Sequence, residues 1–424
     1  MKITVDQSVV AELFRRGGFV ALSEDGQSSE FKTKNATRSC VRVTAANGLV
    51  TFASSVPRMW CSHSVPVQDG SVTIEEDGDV CIPAAELKRA LGNLQPSHQV
   101  VIRYSPSDAK LDHSVRVQSS GDVTIGVVLK GKGKEKTVET IVAYPASEFE
   151  AGKPIAGQTI LVAPREVVKQ AYEMVVFATN PTDYNGIFDK VGIFDSGESV
   201  SFVGTDNHRC AVFNVKKSAF KQTADNMAVL CDVVLMSPTL GVFNDGEEIS
   251  VTIGSDGSHI GVSTEGTKVN MQTVGAEGLA KYVNWRKVTE MKAGPSFVID
   301  RNDFMFALRR VANANRERCF VSFPKGSDAV VLRSEGIALS KAVNAFADCE
   351  TIQSSLSRSE ACIYVSFTIE CLSKLAGEKV EMSFSQGSEG KVRITSPDTP
   401  DFVHVMQRLT QNEKPGSKQP DKAA

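Results

Sequence analysis

An α+β fold built from three copies of one unit is what the sequence predicts, on three observations. Short runs of alternating apolar and polar residues are cut by Gly, Ser and Asp, as expected of half-buried strands. Short helices interrupt these runs, and the order of helices and strands comes round three times. Gly- or Pro-bearing joints, Ala151-Gly152-Lys153-Pro154 and Ala293-Gly294-Pro295, separate the copies.

In the first copy, a helix over Ser8 to Arg16 precedes strands at Val41–Thr44, Leu49–Ala53 and Ser71–Ile74. A second helix from Pro83 to Leu91 leads to strands at Val100–Arg103 and Ser114–Val117. The second copy opens with a helix over Pro164–Ala171, its proline at the first turn where a missing N–H costs nothing. Strands at Val191–Phe194 and Val200–Val203 follow, then a short helix near Ser237–Phe243 and a strand at Glu248–Ile253. The third begins at Asp300, an N-cap signal for a helix through Arg310, with strands at Phe320–Phe323 and Ala329–Arg333. A helix at Thr368–Leu375 and a strand at Lys379–Phe384 complete it. The strand after each second helix recurs at Val101, Val251 and about Val380, a spacing of roughly 130 to 150 residues, too long for a solenoid unit. Residue identity between copies is poor, so the alternative is one large β-rich protein with incidental periodicity.

Composition bounds the function. With 424 residues, two or three domains are expected, and 41% hydrophobic with 23% charged residues is globular. The net charge of −3 means that any nucleic-acid role rests on local positive charge. Nine scattered cysteines without a Cys-x-x-Cys pair read as reduced thiols in the cytoplasm, mostly small core residues. Met1-Lys2-Ile3-Thr4-Val5-Asp6 lacks the apolar core of a secretion signal, and no 18-residue apolar run suggests a membrane span.

The search for catalytic chemistry is mostly negative. Gly131-Lys132-Gly133-Lys134 and Gly152-Lys153-Pro154 do not continue as a phosphate-binding loop, and six separated histidines offer no local metal site, so neither cofactor nor metal is expected. One stretch invites an enzyme reading: Thr205-Asp206-Asn207-His208-Arg209-Cys210, between two strand-like runs. Asp206 and His208 could form an acid/base pair beside a Cys210 nucleophile. The plainer alternative is that Asp206 and Asn207 supply turn chemistry while His208 and Arg209 bond the loop.

Basic residues mark the helices: Arg15, Arg16, Lys88, Arg89, Arg165, Lys169, Arg309, Arg310 and Lys374. Solvated faces and helix-dipole complementarity explain such charges as readily as phosphate contact does. The second helix of the middle copy has none. Lys130 to Lys136 reads as a basic loop, either a solvated tip or a DNA-backbone contact.

Thr205–Ala211 resembles the Thr-Asp-Gly-His-Arg-Leu-Ala turn of bacterial DNA sliding clamps, the beta subunits of the replicative polymerase. Asp401-Phe402-Val403-His404-Val405-Met406-Gln407-Arg408-Leu409 is similar to that family's terminal strand, and Lys281–Val288 to its Phe-Pro-Asp-Tyr-Arg-Arg-Val segment. The resemblance implies three clamp domains, 1–150, 155–291 and 296–410, and a polar tail over 411–424 expected to be disordered. Helices would line the inside and antiparallel sheets the outside, two chains joining head to tail into a ring of six domains around duplex DNA.

By the same resemblance, the protein is a non-catalytic processivity factor working in the cytoplasm. It would hold the replicative polymerase and clamp loader through short linear peptides in a cleft. Thr205, Asn207, His208, Arg209, Cys210, Val283, Lys287, Val288, Val403, Val405 and Arg408 would form that cleft, and the nine basic helix residues would face DNA. The chain departs from the family at Asn207 for glycine, Cys210 for leucine, Val283 for proline and Lys190 for a wall leucine. Ala312-Asn313 stands where an apolar pair helps seal the ring, and Ala53-Ser54-Ser55 replaces a Thr-Asp-Leu-Glu turn. A paralogue that binds peptides without closing a ring is the competing expectation.

Overall fold

The computed structural model describes residues 1–22, 36–68, 70–106, 111–112, 117–118, 121–129, 134–150, 152, 155–183, 186–292, 294–322, 329–334, 343–353, 360–386 and 390–409. The expected strand Ser114–Val117, most of the basic loop from Lys130 and the tail 411–424 lie largely or wholly outside these residues.

Two compact units emerge, one of Met1–Glu166, Phe220–Ala224 and Leu235–Ala276, the other of Val167–Ala219, Asp225–Val234 and Glu277–Ala424. The first unit holds a five-stranded and a nine-stranded sheet, and the second a twelve-stranded sheet. Among the described residues every strand pairing is antiparallel, and the fold is α+β, as expected.

Local chemistry accounts for the elements. In Lys2–Asp6, alternation buries Ile3 and Val5. Helix α1 (Gln7–Gly17) buries Val10, Leu13, Phe14 and Gly17, the spacing of one helical face. Gly17 is there because a β-carbon would stand 2.2 Å from the Phe52 carbonyl oxygen, and the Ser54 hydroxyl donates to the Gly17 carbonyl at 2.6 Å. Helices α2 (Ala84–Gly92) and α3 (Arg165–Glu173) lie where the sequence places them.

Helix α4 (Val233–Val242) begins four residues before the expected start at Ser237, with Pro238 inside it rather than at its first turn. Asp232 sets that start: its carboxylate accepts from the Val234 N–H at 3.0 Å, a local cap. Beyond α5 (Gly275–Lys281) and α6 (Trp285–Thr289), α7 (Arg301–Ala312) is capped by Asp300, whose carboxylate accepts from Asn302 N at 2.8 Å and Asp303 N at 2.9 Å. Helix α8 (Val365–Lys374) starts three residues earlier than expected, and the Thr368 hydroxyl donates to the Tyr364 carbonyl at 2.7 Å. Among the described residues eight cysteines are buried.

In the first unit Met59–Pro66 pairs with Thr267–Gln272, so strands from distant stretches share one sheet. In the second unit Arg209–Lys216 pairs with Thr399–Gln407 in the same sense.

Replacing Asp300 by Ala removes the cap of α7 and is expected to destabilise the protein by about 1 kcal/mol. Denaturant unfolding of the variant beside the parent measures it; an unchanged midpoint would mean that the cap contributes nothing.

Candidate functional site

The Thr205–Arg209 turn joins strands Ser199–Thr205 and Arg209–Lys216. Asp206 holds it together, accepting from His208 N and Arg209 N at 3.0 Å each through Oδ1, and from Arg209 Nε at 2.8 Å through Oδ2. The Thr205 hydroxyl donates to the Arg209 carbonyl at 2.7 Å. Asn207, where the clamp motif has glycine, adopts φ of 74°, a left-handed conformation that Asn tolerates better than most residues. These bonds are turn chemistry, the plainer of the two readings of this stretch. Cys210 is fully buried, and burial, reinforced by Asp206, pushes its thiol up to about 12, so it stays protonated at neutral pH.

Arg209 is drawn inward. It pairs with Asp206 and with Glu370 of α8, its guanidinium lies over the Phe367 ring at 4.0 Å, and Phe177 faces it at 5.6 Å. Tyr364 stacks on Phe367 at 4.6 Å and lies beside His208 at 6.4 Å. A buried arginine with two carboxylates and two rings is a structural lock. Nothing local in the sequence signals Glu370, Phe177 or Phe367.

The turn, the α6 segment and the last strand do come together. Cys210 stands opposite Val405, and Val212 opposite Val403, so one face of the junction carries an apolar strip. The His208 carbonyl accepts from Gln407 N at 3.0 Å. Helix α6 packs on both strands, with Val283 and Val288 half-buried and Lys287 exposed. The Tyr282 hydroxyl donates to the Val203 carbonyl at 2.9 Å, and Lys391 Nζ to the carbonyls of Lys287 at 3.2 Å and Glu290 at 2.9 Å, fixing that segment. Val403 and Arg408 are half-buried, Val405 buried, and Asn207 and His208 exposed. Lys190, at the position of the wall leucine, is buried and paired with Asp189 at 2.6 Å and Asp232 at 3.2 Å.

The basic helix residues divide. Lys88, Arg89, Arg309 and Arg310 are exposed, Arg89 pairing with Glu139; Lys169, 3.8 Å from Glu173, and Lys374 are half-buried. Arg15 pairs with Glu12 at 2.6 Å and donates to the Val242 carbonyl at 3.0 Å. Arg16 and Arg165 depart from the expected DNA-facing role, because both are buried in the protein. Arg16 pairs with Glu12 at 2.5 Å and Glu247 at 2.7 Å, and Arg165 pairs with Asp245 and donates to the Leu240 carbonyl at 2.8 Å. Hydrogen bonds from Arg15 and Arg16 hold the Glu12 carboxyl down at about 2.

Among the described residues no group of three or more His, Cys, Asp or Glu could hold a metal ion, and no helix is long and apolar enough to cross a membrane.

Strand junctions and helices arranged this way define the sliding-clamp fold. The structure of the DNA polymerase III subunit beta from Pseudomonas aeruginosa superposes with a TM-score of 0.78 at 15% identity, covering 96% of this chain and 100% of that one. Caulobacter crescentus pol III beta gives 0.77 at 13% identity, with 97% and 100% covered, and the DNA polymerase sliding clamp from Bacillus subtilis 0.76 at 15%, with 97% and 99% covered. No protein-family model matches the chain, and no curated protein matches it in sequence.

His404, on the last strand, is fully buried with both ring nitrogens lacking a hydrogen-bond partner. Burial, aided by the nearby Arg209 charge, lowers it to about 3, so the native ring is neutral. The unfolded chain binds a proton below its ordinary value near 6.5 that the native ring refuses, so stability present above that pH is lost as pH falls. Between pH 7.5 and 5.5 this loss is about 1.4 kcal/mol. His404→Leu is expected to remove that share of the pH dependence in urea unfolding; an identical slope in the variant would refute the assignment.

Proposed function

We propose that the chain is a DNA polymerase processivity clamp, in which two copies close a ring around duplex DNA and tether partners through the cleft at Thr205–Cys210, α6 and the last strand. The repeats are taken as 1–150, 155–291 and 296–410. The observation that carries this reading is the rule by which one repeat's sheet passes into the next. The strand Met59–Pro66 of the first repeat pairs with the last strand of the second, Thr267–Gln272. Arg209–Lys216 of the second pairs with the last strand of the third, Thr399–Gln407.

Applied once more, the rule takes the part of the corresponding third-repeat strand that precedes Cys349, the remainder Cys349–Gln353 already pairing with Ser296–Ile299, and pairs it with the last strand of the first, Glu135–Ala143. The latter terminates its five-stranded sheet, and its Val138 and Val142 are 44% and 48% exposed. The two strands belong to opposite ends of the chain, so the pairing joins two copies head to tail, and a second identical contact closes the ring. A ring needs no base readout; weak phosphate contacts from Lys88, Arg89, Arg309 and Arg310 let it slide. Of the cleft residues, Val283, Val288 and Val403 are half-buried apolar groups beside the exposed Asn207, His208 and Lys287, suited to one peptide anchor. The superposed proteins are polymerase III beta subunits and sliding clamps, which accords with this role. One feature favours the open-ring alternative: Asn313, where clamps place an apolar residue, serves as the C-cap of α7.

Light scattering across a concentration series tests closure. A mass near twice 45.7 kDa is expected, and Val138→Glu with Val142→Glu is expected to give monomers. A parent protein that is monomeric throughout would transfer the assignment to the open, peptide-binding form.

Arg309→Glu with Arg310→Glu is expected to shorten retention on closed circular DNA and lower the salt slope by about 2, with melting unchanged. Retention equal to the parent's would remove these residues from the DNA-facing wall. Arg16→Glu, by contrast, strands Glu12 and Glu247 beside a new carboxylate and is expected to cost about 3–5 kcal/mol of stability.

A further inference from the structure

The first unit has a seam of its own. Along the junction of Met59–Pro66 with Thr267–Gln272 lie two cavities of about 490 and 800 Å³ that share Trp60, Ile155 and Asn270 as common walls. Together they make one groove following the strand from Arg58 to Pro66, roughly 25 Å at strand rise. One end is walled by Val56, Met59, Trp60 and Met271, apolar side chains of which the two methionines adapt to varied shapes. Gly152 lies directly on the indole: a β-carbon there would stand 2.2 Å from Trp60 Cγ.

The seam is closed as the second one is. Gln272 N–H donates to the Arg58 carbonyl at 2.9 Å, just as Gln407 N–H donates to the His208 carbonyl at 3.0 Å. The groove's rim carries the carboxylates of Glu150, Asp256 and Glu265 against the cations of Arg58 and Lys268. Ser258 donates to Asp256 through its hydroxyl at 2.6 Å and its N–H at 2.9 Å, which holds that carboxyl low and ionised.

We propose that this groove binds an extended peptide of a partner protein, anchored by one large apolar side chain against Met59, Trp60 and Met271 and carrying a basic residue beside the anchor. Length argues for an extended chain over a compact ligand, the apolar end for a single anchor, and the acidic excess at the rim for a basic neighbour. The chain's own tail is a poor occupant, since 411–424 contains no aromatic or large aliphatic residue. The inference does not depend on occupancy of the second seam.

The two tryptophans separate the sites, since Trp60 lines this groove and Trp285 lies in α6 at the other seam. In Trp285→Phe protein only Trp60 emits, and in Trp60→Phe protein only Trp285. The probe is the hexapeptide Lys-Ser-Leu-Phe-Ser-Gly, with Glu-Ser-Leu-Phe-Ser-Gly and Lys-Ser-Ala-Ala-Ser-Gly as controls. A saturable change of Trp60 emission is expected with the basic peptide, roughly tenfold weaker with the acidic one and absent with the Ala-Ala peptide. Asn270→Arg, which fills the shared wall, is expected to abolish it while melting as the parent does. The proposal is overturned if Trp60 does not respond, or if Asn270→Arg leaves the response intact. It is equally overturned by a response appearing only after residues 411–424 are removed, which would make the tail the occupant. A response confined to Trp285 would overturn this groove and leave the processivity reading standing.

Discussion

Continuity of the sheet across a repeat boundary is the constraint on which the rest depends. At each junction an antiparallel ladder satisfies the backbone groups of two strands that would otherwise be sheet edges, and a bare edge invites uncontrolled pairing. The side chains around a junction then serve its register. Met59 stands opposite Met271 in one, Cys210 opposite Val405 in the other, and a slip of one residue would turn each apolar set to the opposite face. Long-range ion pairs fasten helices α1 and α8 beside the junctions. Arg16 reaches Glu247 across 231 residues of chain, and Arg209 reaches Glu370 across 161.

That dependence explains why the two compact units do not coincide with three repeats. The middle repeat contributes one set of strands to the sheet of the first unit and another to the sheet of the second. A repeat defined by element order and a unit defined by packing are different divisions of one chain.

Much of the element order is legible in the sequence, because strand alternation and helix caps are local. Asp300 announces α7, and the apolar spacing of α1 gives its buried face. The misplaced start of α4 shows the limit: the helix is expected near Ser237, yet the carboxylate of Asp232, five residues earlier, sets its boundary. The site is legible only in its backbone. Thr205, Asp206 and Asn207 declare a turn through their own chemistry, whereas the inward fate of Arg209, Arg16 and Arg165 is decided by partners remote in sequence. No residue pattern distinguishes an arginine held by Glu247 from one that faces solvent. The Trp60 groove was invisible for the same reason, since its walls come from three stretches that meet only when the sheet is continuous.

The buried thiols have a separate consequence. Cys61 lies on the Met59–Pro66 strand, with its sulfhydryl donating to the Arg16 carbonyl at 2.9 Å, and Cys210 opens the Arg209–Lys216 strand. Burial raises both thiols well above their ordinary range. A thiolate-seeking reagent therefore reaches either sulfur only while its ladder is open, so alkylation is a clock for breathing of that junction. Two such clocks, one per junction, are built into the polypeptide without any label being added.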